Sequence, residues 1–297
     1  MALELLNEYP YDLWSQTGLR HKRMQKYCNE HKLLELLKSH GYARYPDIVM
    51  ALWPKSDRYS AQAMANRLIN RMMKERCIAR VLDPWGEYSY FLRGKGAALV
   101  GLDEGRWLGG QIAVRSIQGL QFRHRVLCTR YLIERQIEGL RVIGESAIRR
   151  NVSVIGQDSL VKWFKKIPDG FVLAEGSTRG LDPDVIAADW IEVEGAYKTQ
   201  DEHRKMLNIA LRIGDWIDKD RKILLDRLVL VYSSQSSHQK SLVNGVDRFV
   251  REHKIENPAI LGNIVLAECE IAHPFKFLGY TERAWSQIQS RSPIGPG

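Results

Sequence analysis

Four residues in one stretch of the chain have the types and the order that phosphodiester chemistry uses: Asp169, Glu192, Glu194 and Lys198. Asp169 follows Pro168 and precedes the run Gly170-Phe171-Val172-Leu173, which places it at the mouth of an apolar strand. The next strand, Asp189-Trp190-Ile191-Glu192-Val193-Glu194, alternates acid with apolar. Side chains on a strand repeat every two residues, so Glu192 and Glu194 share one face while Ile191 and Val193 share the other. Like charges side by side on a strand repel. A hard divalent cation relieves that repulsion, and Mg²⁺ favours one or two carboxylates with waters and substrate phosphates. Mg²⁺ or Mn²⁺ is therefore the expected cofactor, and Lys198 follows at a reach suited to a phosphate or an attacking water. Taken singly, the pieces also suit plainer roles. Glu-x-Glu fits the solvated face of an edge strand, and Pro-Asp-Gly fits a turn. It is the ordered set that favours a metal-dependent site.

The elements around this stretch form two groups. In the first, leucines at 33, 34, 36 and 37 predict a helix over His31 to His40, and a second helix spans Pro46 to Trp53. Ser60 is the expected N-cap of a third helix, whose apolar stripe runs from Ala61 to Met73. Its other face carries Asn66, Arg67, Asn70, Arg71 and Lys74, with Arg58 and Gln62 near its start. A hairpin follows, Ile78–Leu82 and Tyr88–Leu92, turning at Asp83-Pro84-Trp85-Gly86. Three helices and a two-stranded wing is the winged helix-turn-helix order. On that reading Arg58, Gln62, Asn66, Arg67, Asn70, Arg71 and Lys74 face double-stranded DNA, with donors for phosphates and base edges. A solvated basic helix in a protein-binding module is the alternative.

In the second group, a helix from about Leu120 to Gly139 leads to a strand at Leu140–Gly144. After the acidic stretch come a long helix from Asp201 to Lys219, an apolar strand at Arg227–Tyr232, a helix from Gln239 to Lys254 and a strand at Asn263–Glu268. This order predicts an α/β (α+β) fold, a mixed sheet flanked by helices. The expected boundaries are 1–100 for the winged-helix part with its N-terminal extension, 101–119 for a glycine-rich linker, 120–280 for the sheet and 281–297 for a flexible tail.

Pro168-Asp169, Glu192-Val193-Glu194 and Lys198-Thr199 together resemble the site of the PD-(D/E)XK nuclease fold. The spacing departs from the usual one, because Ala196 stands two residues after Glu194. The variant Glu-x-Glu-x-x-x-Lys-Thr is closer to MobC-type plasmid relaxases and the related replication-relaxation family, which join a winged helix to a nuclease-like part. The segment Glu145-Ser146-Ala147-Ile148-Arg149-Arg150 and the position of His124 also resemble that family. The resemblance implies Asp169, Glu192 and Glu194 as metal ligands, Glu145 as a further acid of the cluster, and Lys198 as the stabiliser of charge on phosphate. It implies a site-specific DNA-nicking protein of a mobile element, acting at a transfer or replication origin, with an accessory mobilisation or coupling protein as a further partner. The attacking group stays open, with Tyr197, Tyr9 and Tyr11 as the candidate tyrosines.

Two other functions remain on the same residues. Ala196 supports a non-catalytic plasmid or phage DNA-binding accessory or regulatory protein with a degenerate nuclease-like domain. A restriction-type endonuclease cutting both strands is the other. Charge agrees with a nucleic-acid partner in each case: the 297 residues carry a net +9, for a pI of about 9.3. Cys28, Cys77, Cys128 and Cys269 are scattered without a Cys-x-x-Cys pair, which argues against a zinc site or a disulfide framework. The absence of a long apolar run and of a signal-peptide pattern at Met1-Ala2-Leu3-Glu4 predicts a cytoplasmic protein without a membrane partner.

Overall fold

The computed structural model describes residues 18–102, 115, 117, 121–194, 200–235, 239–272 and 276–289. The chain is mixed α/β. Its N-terminal elements are α1 (Gly18–His40), β1 (Ala43–Arg44), α2 (Tyr45–Leu52), α3 (Arg58–Lys74), β2 (Ile78–Leu82), β3 (Tyr88–Leu92) and α4 (Gly94–Leu99). β3 lies between β1 and β2, antiparallel to both. The hairpin turn is built by Asp83, whose Oδ1 accepts the N–H groups of Trp85 and Glu87, and by Gly86 at φ +80. The cap of α3 is Asp57 and not Ser60: the Ser60 N–H donates to Asp57 Oδ1 at 3.0 Å, so the helix begins one short step earlier. α1 also begins earlier, at Gly18 rather than His31. Leu33, Leu37, Ile48, Ala65, Leu68, Met72 and Ile78 form the core of this part.

The rest of the chain runs α5 (Phe122–Ile137), β4 (Arg141–Gly144), α6 (Glu145–Arg149), α7 (Gln157–Phe164), β5 (Gly170–Glu175), β6 (Ile186–Glu194), α8 (Gln200–Leu207), β7 (Trp216–Asp218), β8 (Ile223–Ser233), α9 (Gln239–Glu252), α10 (Pro258–Asn263), β9 (Ile264–Ala272), β10 (Lys276–Ala284) and α11 (Trp285–Gln289). The sheet order is β10-β9-β8-β6-β5-β4, with β7 pairing β8. β6, β8 and β9 are parallel neighbours, and the pairs β4–β5, β5–β6 and β9–β10 are antiparallel. Helices cover both faces. Phe164, Trp190, Leu230, Leu242, Val246 and Trp285 fill one side. Leu127, Tyr131, Leu132, Ile191, Val193 and Val229 fill the other, under α5.

Several expectations change here. The helix from Asp201 ends at Leu207, passes through a 3₁₀ turn at Asn208–Arg212, and gives way to β7. Gly214 at φ +95 breaks the helical path, and Ile217 is buried as a strand residue. Residues 281–289 are the end of β10 and α11, with Trp285 only 2% exposed in the core, so no flexible tail begins at 281. Most of the glycine-rich 101–119 segment lies outside the described residues. Ile117, which is described, is fully buried with Tyr42, Phe91, Phe122 and Val126. α5 serves both parts: its Ile133 belongs to the N-terminal core, while its Leu127 and Tyr131 pack on the sheet. Arg130 of α5 reaches Asp47 of α2 at 3.0 Å, a buried pair that ties the parts together. Among the described residues no helix is long and apolar enough to cross a membrane.

Candidate functional site

β6 is a central strand, not an edge strand, and this decides the setting of its acids. Its even positions face the Trp190 side of the sheet and its odd positions the α5 side. Glu192 and Glu194 therefore share a face, as the alternation predicts, yet both are buried, at 1% and 2% exposure. The sheet register brings further acids alongside. Gly170 pairs with Ile191 and Gly144 with Gly170, so one further step sets Asp169 opposite Glu192 and Glu145 opposite Asp169. The backbone carries this step: the Asp169 N–H donates to Ile191 O at 3.0 Å and the Glu145 N–H to Asp169 O at 3.1 Å. The result is a row of carboxylates, Glu145, Asp169 and Glu192, across the ends of three adjacent strands.

Gly170 is what lets β5 enter this row, and it is no turn residue. A Cβ there would lie 2.8 Å from Leu132 Cδ1 and 2.9 Å from Ile143 O, so only glycine allows α5 and β4 to close around it. The thiol of Cys128, on α5, reports on the same neighbourhood. It donates to Asp169 O at 3.4 Å. Burial first, then the charges of Asp169, Glu145 and Glu192, holds it well above the usual thiol range. Cys128 is a neutral, inert wall of the site.

Each carboxylate has its own basic side chain nearby. Asp169 accepts the Val193 N–H through Oδ2 at 2.8 Å, and its Oδ1 lies 2.9 Å from His124 Nε2. Glu192 accepts from Trp190 Nε1 at 2.8 Å and from Lys166 Nζ at 2.7 Å. Glu145 accepts from Arg149 Nε at 2.6 Å, with Arg125 3.8 Å away. Glu194 lies one step along β6, its Oε2 3.7 Å from His203 Nε2 on α8. The row joins Glu145, Asp169 and Glu192, while Glu194 turns to a separate helix. Among the described residues no group of three or more His, Cys, Asp or Glu side chains closes into a metal cage. Lys198, with Ala196 and Tyr197, lies outside the described residues, as do Tyr9 and Tyr11.

Lys166 and His203 are partners that the sequence alone did not reveal. Lys166 lies just before β5 and His203 on α8, close in sequence to the acids, but nothing in their spacing shows which carboxylate each one meets. Asp189, an acid of the same strand, belongs elsewhere. It faces the α5 side, held by Arg227 at 2.9 and 2.5 Å and by Arg179 at 3.0 Å.

Of the α3 residues, Arg58, Asn66, Arg67, Asn70 and Lys74 are exposed. Arg67 hydrogen-bonds Ala63 O within its own helix. Gln62 is half-buried, and its carbonyl accepts from Tyr45 Oη. Arg71 is half-buried and bound to Glu30 Oε1 at 2.7 Å, where it braces α3 against α1. On the hairpin, the exposed Arg80 stacks over Tyr88 at 4.0 Å. Compared with family models, with curated proteins and with solved structures, the chain matches none of them.

Proposed function

We propose that this protein binds double-stranded DNA through a winged helix, α1 to β3, and nicks one strand at a metal-assisted site in a PD-(D/E)XK-like domain. The observation that carries the reading is the row of Glu145, Asp169 and Glu192 on three adjacent strand ends, beside His124. α3, with Arg58, Asn66, Arg67, Asn70 and Lys74 on its open face, is the recognition helix, and the target is an origin-like site on a mobile element.

The residues suit Mg²⁺ or Mn²⁺. The donors are hard carboxylate oxygens, and such an ion needs only one or two of them with waters and a phosphate. Glu145 and Asp169, at 19% and 17% side-chain exposure, are the accessible pair. A bound ion supplies Lewis-acid polarisation of the phosphate and a more acidic water. His124 holds or moves a proton at Nε2, next to Asp169 Oδ1. Arg125 and Arg149, now on Glu145, stabilise charge that develops on the phosphate. Lys166 holds the buried Glu192 in place.

One observation favours a second reading. Each carboxylate of the row is already engaged within the fold, Glu145 by Arg149, Glu192 by Lys166 and Asp169 by the Val193 N–H beside His124, as in a non-catalytic DNA-binding protein. A single experiment separates the two. Supercoiled plasmid carrying candidate origins is incubated with the protein and Mg²⁺ or Mn²⁺. Open circles that vanish with Asp169→Asn and Glu145→Gln, while duplex binding persists, support nicking. Binding without any change in topology supports the accessory protein, and linear product supports a restriction-type enzyme.

A further inference from the structure

A cavity of about 570 Å³ lies in the seam between the two parts of the molecule, and none of the row's carboxylates lines it. Its walls are the C-terminal half of α1, the end of α2, β4 and residues 152–154. The floor is aliphatic, from Leu36, Leu52, Ile143, Ala147 and Val152. Lys32, Lys38, Arg141 and Arg221 line it against one carboxylate, Glu35. Lys38 is held by Glu35 at 3.1 Å, and Arg221 by Asp218 at 2.8 Å and Val154 O at 3.0 Å. Arg141 is exposed, and among the described residues no hydrogen bond or ion pair engages its guanidinium. His40 adds no charge at neutral pH, because burial pushes its imidazole down to about 4.

The backbone adds a second feature. β4 is an edge strand of the described sheet. The Gly144 N–H turns outward to Ser39 Oγ at 3.0 Å, whereas the Glu145 N–H turns inward to β5. Hydrogen-bonding direction alternates along an antiparallel strand, so Val142 turns its N–H and C=O outward like Gly144. Val142 lines the cavity, and among the described residues nothing bonds to this donor–acceptor pair.

We propose that the seam cavity is a nucleotide site, in which the aliphatic floor takes a base, the Val142 N–H and C=O read its edge, and Arg141 with the lysines takes the phosphates. The volume suits such a ligand, since small-molecule pockets fall at roughly 300–1,000 Å³. Apolar walls with a few convergent polar groups are the usual form of such a pocket. An outward-facing backbone donor and acceptor on an edge strand can be matched by a base edge. The ligand is either a free nucleotide or an unpaired nucleotide of a bound strand, and the site does not depend on nicking.

The test titrates the full-length protein with a fluorescent methylanthraniloyl-ATP, displaced by ATP, adenosine, pyrophosphate or a four-residue deoxyadenosine oligonucleotide. Saturable binding is expected, with ATP displacing the probe at least tenfold better than adenosine or pyrophosphate. Arg141→Glu, at an exposed position, and Ala51→Phe, which adds bulk at a further lining residue beside Leu52, should each weaken binding at least tenfold. An oligonucleotide that competes as well as ATP identifies the strand as the source, and a weaker one identifies the free nucleotide. No saturable binding, pyrophosphate as effective as ATP, or both variants binding like the unaltered chain overturns the proposal.

Discussion

The Lys166–Glu192 pair offers the sharpest test of how the carboxylate row is held. Glu192 is 1% exposed, and its two oxygens rest on Trp190 Nε1 and Lys166 Nζ. Lys166→Met removes the cation from a buried carboxylate that keeps the Trp190 indole N–H. Breaking a buried pair in this way costs about 3–5 kcal/mol. The Lys166 side chain is 28% exposed, so water reaches that oxygen, and about 2–3 kcal/mol is the fairer figure. Glu192→Gln keeps an acceptor for Trp190 and lets Lys166 return to water, at about 1–2 kcal/mol. The double variant has no orphaned charge and should cost no more than Glu192→Gln alone, which gives a coupling of about 2 kcal/mol. Urea unfolding without divalent ions, at matched slopes, measures each corner of the cycle. In Lys166→Met an added Mg²⁺ can take the place of the lost ammonium, and a tenfold excess over Kd restores about 1.4 kcal/mol. A coupling below about 0.5 kcal/mol would show that Glu192 is not held by Lys166, and the account of the row would fail.

The seam and α3 give three further tests. His40 has its pKa lowered to about 4 from 6.5, so the stability it contributes is present above pH 6.5 and is lost as pH falls toward 4. Urea midpoints between pH 4.5 and 7.5 should fall by the equivalent of up to about 3 kcal/mol, and His40→Asn should flatten that slope. Arg67→Ala should lower the salt slope of duplex binding by about 1 in log–log units at constant stability. Arg71→Ala should instead cost about 0.5–1 kcal/mol through the lost Glu30 pair, both read by fluorescence anisotropy and urea. Gly144→Ala places a Cβ 2.5 Å from Ser39 O, so it should force α1 off β4 and cost about 1–3 kcal/mol in the same unfolding assay.

Local chemistry was legible in the sequence where it is self-contained. The hairpin at Ile78–Leu82 and Tyr88–Leu92 follows from Asp83 and Gly86, which build the turn from its own residues. The apolar spacing of Met206, Ile209, Ile213 and Ile217 reads as one long helix, because a 3.6-residue pattern cannot show where Gly214 takes a left-handed φ. β10 is hard to read from sequence because Lys276–Ala284 mixes charge with apolar residues and is interrupted by an irregularity between Phe277 and Gly279. At the site, period two gave the shared face of Glu192 and Glu194 but not their burial. Burial depends on β6 having β5 and β8 beside it and helices on both faces, which is a property of the assembled sheet. The pairing of His124 with Asp169 likewise needs α5 laid against the strand ends.

The position of Glu192 in the sheet bears on why an acid stands there at all. Its register partner on β8 is Leu230, and the partner of Leu230 on β9 is Leu266. The row that starts as Glu145, Asp169 and Glu192 thus continues as leucine, on the same face and at the same depth. A leucine at 192 would extend that core. Buried ion pairs are often no more stabilising than apolar residues of similar volume. Folding therefore sets no need for the carboxylate, for Lys166 across from it, or for the Trp190 indole turned to meet it. The acid side of the row costs stability that the leucine side does not. That cost falls on the three strand ends where α5 brings His124 and Arg125, and where Glu145 and Asp169 keep part of their surface in solvent. A charge kept at a core position, at the one place where the row reaches the surface, is the physical ground for looking for chemistry there.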